Sequence, residues 1–306
     1  MISDELVGRL GGDRVTDEDK MQVRVGYIGL GDMGAPMAAS IIKAGFDLTV
    51  FDLRDDAMAT LEKLGARRAT SVGALAKVVD VLCTCVLYED QVKDIFLGDD
   101  GIIANAPAGL VAAIHSTVYP ETVLAIAEAA RGSGVLVIDA PVSGGSERAR
   151  TGCLTLMVGS SDEAFRKAAP VFDTIGRHIF RVGDVGTGQA VKLGNNIMSL
   201  INQLVAMEAV RFVSAYGVKA SVLFEVAQVS SGASHAVENW SKGDRYGVEH
   251  TLAGTPELPH RLAKDLRYAL AAAQERWTNL PILALCSQLL PGMFRDRWSD
   301  PECWSE

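Results

Sequence analysis

Lys192 and Asn196 stand four residues apart in the stretch Gly183-Asp-Val-Gly-Thr-Gly-Gln-Ala-Val-Lys-Leu-Gly-Asn-Asn196. On a helix they share one face, one above the other. An ammonium and a carboxamide stacked in this way can grip one small oxygen-bearing substrate. A chance pair on a solvated face has the same spacing, so the pair gains meaning only from its company. Gly183, Gly186 and Gly188 break the preceding chain, and the run from Gln189 through about Tyr216 has few breakers, which predicts a long helix.

A second constellation lies near the start. Val23-Arg-Val-Gly-Tyr-Ile28 has the apolar character of a strand, and Ala35 to Ala44 has that of a helix. Between them runs Gly29-Leu30-Gly31-Asp32-Met33-Gly34. A glycine triplet in this position is the dinucleotide fingerprint: Gly29 permits a tight turn, Gly31 lets backbone approach a pyrophosphate, and Gly34 packs helix against strand. The helix N-terminus then faces the anion. A second strand, Leu48 to Phe51, ends in Asp52, at about the 20-residue distance from which an acidic side chain meets ribose hydroxyls.

The alternation continues. Helices are expected over about 57–64, 72–77, 91–96 and 120–131, and strands near Arg67 and over 79–86, 110–114 and 135–138. Such alternation predicts an α/β fold with a mostly parallel sheet covered on both faces, whose ligands sit at the carboxyl ends of the strands. Three strand ends therefore matter: Val86-Leu87, His115-Ser116-Thr117, and Asp139-Ala-Pro-Val-Ser-Gly-Gly145. Ser116 and Thr117 serve equally well as the N-cap of the helix near Pro120. His115 reads as a packed strand-end residue. In the third segment, Gly144 and Gly145 expose backbone N–H groups and Ser143 adds a hydroxyl, a nest suited to a carboxylate; a plain turn before a helix at Glu147 fits the same residues.

Composition narrows the function classes. The chain has 306 residues, which suggests two domains or one large one, and at 48% hydrophobic it can build a sizeable core. A formal net charge of -9 opposes phosphate-backbone binding, so nucleic acid is not an expected partner. Five dispersed cysteines fit a reducing, cytoplasmic setting, and Cys83 and Cys85 read as small core residues. The five histidines show no ligand spacing, so no metal is expected. No apolar run reaches the ~18 residues of a membrane helix, and no membrane association is expected. Residues 1–22 are polar and read as an extension, poorly ordered or draped on the surface.

Four motifs occur in order: Gly29-x-Gly31-x-x-Gly34; Asp139-Ala-Pro-Val-Ser-Gly-Gly145 with Gly152-Cys-Leu-Thr-Leu-Met-Val158; Gly186-x-Gly188-x-x-x-Lys192-x-x-x-Asn196; and Lys264-Asp265-Leu266. On these the chain resembles the beta-hydroxyacid dehydrogenase family, which includes 3-hydroxyisobutyrate dehydrogenase and tartronate semialdehyde reductase. The resemblance runs from about Val23 to Gln288. It implies a Rossmann domain over 23–185 and an all-helical substrate and oligomerisation domain over 186–306, joined by the long helix. It implies NAD, with NADP possible, as cofactor. It implies hydride transfer between a short 3-hydroxy acid and its semialdehyde, and a homo-oligomer, dimer or tetramer.

The resemblance also assigns roles. Lys192 is the acid/base, and a pKa below the free value of about 10.4 would help it accept a proton. Asn196 orients the substrate, and Ser143, Gly144 and Gly145 hold its carboxylate. Gly29, Leu30, Gly31, Asp32, Met33, Gly34 and Asp52 hold the cofactor, with Val86, Leu87 and Thr117 beside it and Lys264 reaching it from the second domain. Some residues depart from the pattern. Arg148 stands where glycine or another small residue is usual and reads as a surface arginine, with a second carboxylate contact as the alternative. Pro256 and Pro259 stiffen the approach to Lys264. His235 and Trp240 fall in the segment that closes over substrate in relatives. Two alternatives remain: an imine reductase on the same fold, which usually has Asp or Tyr at the Lys192 position, and a non-enzymatic dinucleotide-binding protein.

Overall fold

The computed structural model describes residues 23–240 and 258–299. The extension 1–22 and Pro256 lie outside the described residues, as does the side chain of Pro259. The chain divides into two compact units, Met1–Lys192 and Leu193–Glu306.

In the first unit, strands and helices alternate: β1 (Arg24–Ile28), α1 (Gly34–Lys43), β2 (Asp47–Phe51), α2 (Asp55–Glu62), β3 (Arg67–Arg68), α3 (Val72–Ala76), β4 (Val81–Thr84), α4 (Glu89–Leu97), α5 (Ile102–Asn105), β5 (Val111–Ile114), α6 (Pro120–Ala130) and β6 (Leu136–Asp139). The six strands pair in the order β3-β2-β1-β4-β5-β6, all parallel. This is the doubly wound order, with its switch point between β1 and β4.

Burial explains the arrangement. Along β4 and β5, Val81, Cys83, Val111 and Ala113 pack on one face with Met37 and Ile41 of α1. Their neighbours Leu82, Ala112 and Ile114 pack on the other with Val92 and Phe96 of α4 and Val123 and Ile126 of α6. Strands buried on both faces need apolar residues at successive positions, which is why these runs do not alternate in polarity.

The sheet then continues with β7 (Val142–Ser143), α7 (Gly145–Arg150), β8 (Leu154–Gly159), α8 (Asp162–Ile175) and β9 (Gly176–Gly183). β8 runs antiparallel to β6 and β7, and β9 is parallel to β8. Phe165 and Phe172 of α8 are buried against the sheet. Ser161 caps α8 by accepting the Ala164 N–H at 3.2 Å.

The helix α9 (Thr187–Ser214) follows. In the second unit come α10 (Ala220–Gln228), α11 (His235–Glu238), α12 (Leu258–Glu275) and α13 (Pro281–Ser299). Their core joins Leu200, Leu204 and Met207 of α9 to Phe224, Leu266, Leu283, Leu290 and Phe294. α13 runs on through Pro291. By length and composition α9 would suffice to cross a membrane, contrary to the expectation from sequence. Its stripe of Leu193, Leu200, Leu204, Met207 and Val210 is buried in the unit's own core.

Candidate functional site

The glycine turn sits between β1 and α1, at the carboxyl edge of the sheet. Gly29 has φ +88, and a Cβ there would strike the Cys85 carbonyl. A Cβ on Gly34 would strike the Gly29 carbonyl oxygen. The first glycine is thus required by handedness and crowding, and the third by the close approach of helix to turn. Around Gly31 nothing lies within 4 Å of where a Cβ would stand, so its backbone is open to an incoming group. At the end of β2, Asp52 accepts the Leu30 N–H at 2.6 Å and the Arg54 N–H at 2.9 Å. Arg54 turns back over it: Nε lies 3.3 Å from Asp52 Oδ1, and Nη2 donates to the Leu30 carbonyl at 2.9 Å. A carboxylate at the second strand end, an open glycine at the turn and a helix N-terminus behind it fit a dinucleotide. Asp32 is exposed and Met33 half-buried on the same turn.

The next strand ends are stitched together. Ser116 Oγ accepts the Val86 N–H at 2.8 Å, while α6 begins with Pro120 after an N-cap at Tyr119 that makes no side-chain cap bond. Ser116 therefore joins two loops and does not cap the helix. Gln91 Oε1 accepts the N–H groups of Leu87 at 3.2 Å and Tyr88 at 2.9 Å. Thr117 stands half-buried beside Ser116. His115 is buried, its ring 6.4 Å from that of Tyr27 and 5.6 Å from that of Phe172. Its Nδ1–H donates to the Ala140 carbonyl at 2.8 Å, which leaves Nε2 unprotonated and without a partner. Burial pushes its pKa down to about 4, with the Ala140 contact opposing, so it is a neutral packed residue.

Asp139 ends β6 and is fully buried. Its Oδ1 accepts the Gly186 N–H and its Oδ2 the Gln189 N–H, both at 2.7 Å. These are donors that the first turn of α9 cannot satisfy internally, so a carboxylate from a distant strand caps the helix and meets its positive end. Gly159 and Gly188 flank the carboxylate so closely that a Cβ on either would collide with it. Burial raises the Asp139 pKa to about 6, against the pull of the backbone N–H groups. Gln189 is also buried. Its Oε1 accepts the Val118 N–H at 3.1 Å and its Nε2 donates to the Ser116 carbonyl at 2.8 Å. One turn further along α9 is Lys192, only 8% exposed. The strand-end loops after β5 and β6 thus both hold the turn that carries this lysine.

Ser143 pairs with Thr155 across β7 and β8. Gly144 and Gly145 follow at φ +132 and +69, conformations that glycine adopts without strain. The Arg148 side chain folds over Gly144, with Cδ 2.7 Å from where a Cβ would be. Arg148 is exposed, as read from sequence.

In the second unit Asn196 Nδ2 donates to Asp265 Oδ2 at 2.7 Å. Lys264 Nζ lies 3.2 Å from Asp265 Oδ1, a charge contact outside hydrogen-bonding alignment, and 4.8 Å from the centre of the Tyr268 ring. Asp265 therefore ties Asn196 to Lys264. Trp240 belongs to the core: it packs on Phe224 at 4.7 Å, and the Arg297 guanidinium lies 3.5 Å from its ring centre. His235 is exposed on α11. Among the described residues no group of three or more His, Cys, Asp or Glu could hold a metal.

Asp139, Gln189, Ser116 and Asp265 carry the connections that the sequence reading did not assign. Asp139 and Asp265 each stand inside a quoted motif; the groups that donate hydrogen bonds to them are backbone N–H groups or a side chain far along the chain.

Comparison with known proteins gives the family. Residues 24–183 match the family described as the NAD binding domain of 6-phosphogluconate dehydrogenase. Residues 186–299 match that described as NAD-binding of NADP-dependent 3-hydroxyisobutyrate dehydrogenase. The chain is 35% identical to 2-(hydroxymethyl)glutarate dehydrogenase of Eubacterium barkeri, covering 88% of this chain and 89% of that one. It is 36% identical to NAD-dependent L-serine dehydrogenase of Pseudomonas aeruginosa, covering 87% and 90%. A solved Mycobacterium tuberculosis 3-hydroxyisobutyrate dehydrogenase with L-serine superposes at a TM-score of 0.80 and 26% identity, covering 90% and 95%. With its glycine turn, its Asp52 and its doubly wound sheet in place, the chain belongs to the beta-hydroxyacid dehydrogenase family and is an NAD(P)-dependent oxidoreductase of the 3-hydroxyisobutyrate dehydrogenase type.

Proposed function

We propose that the protein interconverts a 2-substituted 3-hydroxypropionate and its semialdehyde, with Lys192 as the acid/base. The observation that carries this reading is the burial of Lys192 on a helical turn fastened to two strand ends at the ligand-binding edge of the sheet. Lysine side chains are mostly exposed, so one only 8% exposed at this edge is unusual. In reduction Lys192 donates a proton to the oxygen that becomes the C3 hydroxyl, and in oxidation it takes that proton back. Asn196, held by Asp265, orients the same end of the substrate. Ser143, Gly144 and Gly145 hold the C1 carboxylate through a hydroxyl and backbone N–H groups. The open turn at Gly29 to Gly34, Asp52, the loops at Val86, Leu87 and Thr117, and Lys264 would hold the dinucleotide. When bound, the nicotinamide supplies the hydride acceptor or donor.

The substrate class follows from chemistry shared by the relatives. 2-(Hydroxymethyl)glutarate, L-serine and 3-hydroxyisobutyrate are all 3-hydroxypropionates that differ only in the substituent at C2. A site that grips the carboxylate and the primary alcohol reads what they have in common. The test is NAD+ reduction with these three compounds, unsubstituted 3-hydroxypropionate and glycerate. Turnover is expected with at least one 2-substituted member and not with secondary 2-hydroxy acids such as lactate. Lactate turnover above that of the whole panel would overturn the assignment.

We further infer a homo-oligomer built through the helical unit. Met198, Val205 and Phe212 recur every seven residues along α9 and are exposed, as are Ile282, Leu285 and Leu289 on α13. Apolar stripes of this kind usually mark interfaces, and a second copy offers a self-complementary cover.

A further inference from the structure

We propose that Asp139 and Gln189 are positioning residues for Lys192, setting the rotation and height of the first turn of α9 against the strand ends. The proposal rests on the reading of Lys192 as the acid/base and extends it to residues that never touch substrate.

Four hydrogen bonds define the coupling. Asp139 takes the Gly186 and Gln189 N–H groups, so both oxygens of one carboxylate grip the helix backbone three residues apart. Gln189 takes the Val118 N–H and gives to the Ser116 carbonyl, so both ends of one carboxamide grip the adjacent loop. The carboxylate fixes where the helix begins along its axis, and the carboxamide fixes how it is turned about that axis. Neither side chain has slack, since both are buried. Gly159 and Gly188 leave a recess sized for the carboxylate, which a Cβ on either would fill. Ser116 also takes the Val86 N–H, so the same frame includes a third loop. Lys192 lies three residues beyond Gln189, and any roll of the turn moves its ammonium directly. Misplacing a reacting group by about 1 Å can cost 100-fold in rate.

The test is a double-mutant cycle on single-turnover hydride transfer, with the best substrate from the panel and slow variants followed over hours. Gln189→Met keeps the length of the side chain and removes both of its bonds. Asp139→Asn keeps the shape and removes one acceptor. Each is made alone and with Lys192→Met, and the NAD+ dissociation constant is measured beside each rate. The expected result is a 10- to 100-fold slower transfer for each single variant, seen in kcat more than in KM, with NAD+ affinity changed less than about threefold. In the Lys192→Met background the same substitutions should alter the residual rate by less than about threefold. An equal loss in both backgrounds, an unchanged rate in the single variants, or loss of NAD+ binding would each overturn the proposal, because the network would then serve the fold and not the lysine. Near-normal transfer in Lys192→Met alone is a separate outcome that removes the reading of Lys192 itself.

Discussion

The stability of the first unit should depend on pH through two buried groups of opposite sign. The perturbation is His115→Asn, which retains a donor for the Ala140 carbonyl and removes the titration. In the folded chain His115 titrates at about 4, against an ordinary value of 6.5. Between these values the unfolded chain binds the proton and the folded chain does not, so stability rises with pH across that window. The gap corresponds to about 3 kcal/mol. Asp139 titrates at about 6 when folded, against 3.8 ordinarily. Between those values the folded chain holds the extra proton, so stability falls as pH rises through that window, again by about 3 kcal/mol. The two windows overlap and nearly cancel. The intact protein should therefore show little dependence from this pair between pH 4 and 6.5, while His115→Asn should lose about 3 kcal/mol of stability over the same rise. The variant also loses ring packing on Tyr27 and Phe172, a cost present at every pH. Hydrogen exchange at the Ala113 and Ile138 amides, corrected for intrinsic rates, reads the local opening free energy in β5 and β6. Equal pH slopes for the two proteins would refute the reasoning.

Two further outcomes are expected. NAD+ should be preferred over NADP+ in kcat/KM, because Asp52 stands at the β2 end and holds Arg54 against itself and the Leu30 carbonyl. Asp52→Ser should release Arg54 and shift the ratio toward NADP+ by at least about tenfold; an unchanged ratio would count against Asp52 as the discriminator. Light scattering at micromolar concentration should return a dimer or larger, and Val205→Glu should lower the mass; a monomer in the unsubstituted chain would dismiss the interface.

Much of the fold was legible because local and long-range signals agreed. From β1 to β6 every strand except β3, the exposed pair Arg67–Arg68, is a short apolar run closed by a turn, and α3 begins at a Ser71 cap, α5 after Gly101 and α6 at Pro120. The long helix was legible for the opposite reason, a scarcity of breakers after Gly188. The sheet beyond Asp139 was not. β7 has two residues, too few for any period, and α8 carries Pro170 inside a helix that its Ser161 cap and buried Phe165 and Phe172 sustain. Pro291 likewise sits inside α13, whose last turns the burial of Met293 and Phe294 holds in place. At the site, spacing picked out Lys192 and Asn196 because they lie on one helix. It could not show that Asp139 holds that helix, since the donors it meets are 47 and 50 residues away and are backbone groups without a side-chain signature. Gln189 is legible only as one more helical residue until its partners, more than 70 positions distant, are seen.

The central claim is tested most directly by Lys192→Met. The cofactor contacts assigned to Gly29 to Gly34 and Asp52 are untouched by this change, so the NAD+ dissociation constant should stay within about threefold of the unsubstituted protein. Single-turnover hydride transfer should fall by about 10²–10⁴-fold, the usual cost of removing a positioned acid/base. Loss of the charge that meets the developing alkoxide would deepen the fall. Transfer at a near-normal rate, with NAD+ bound normally, would contradict the account.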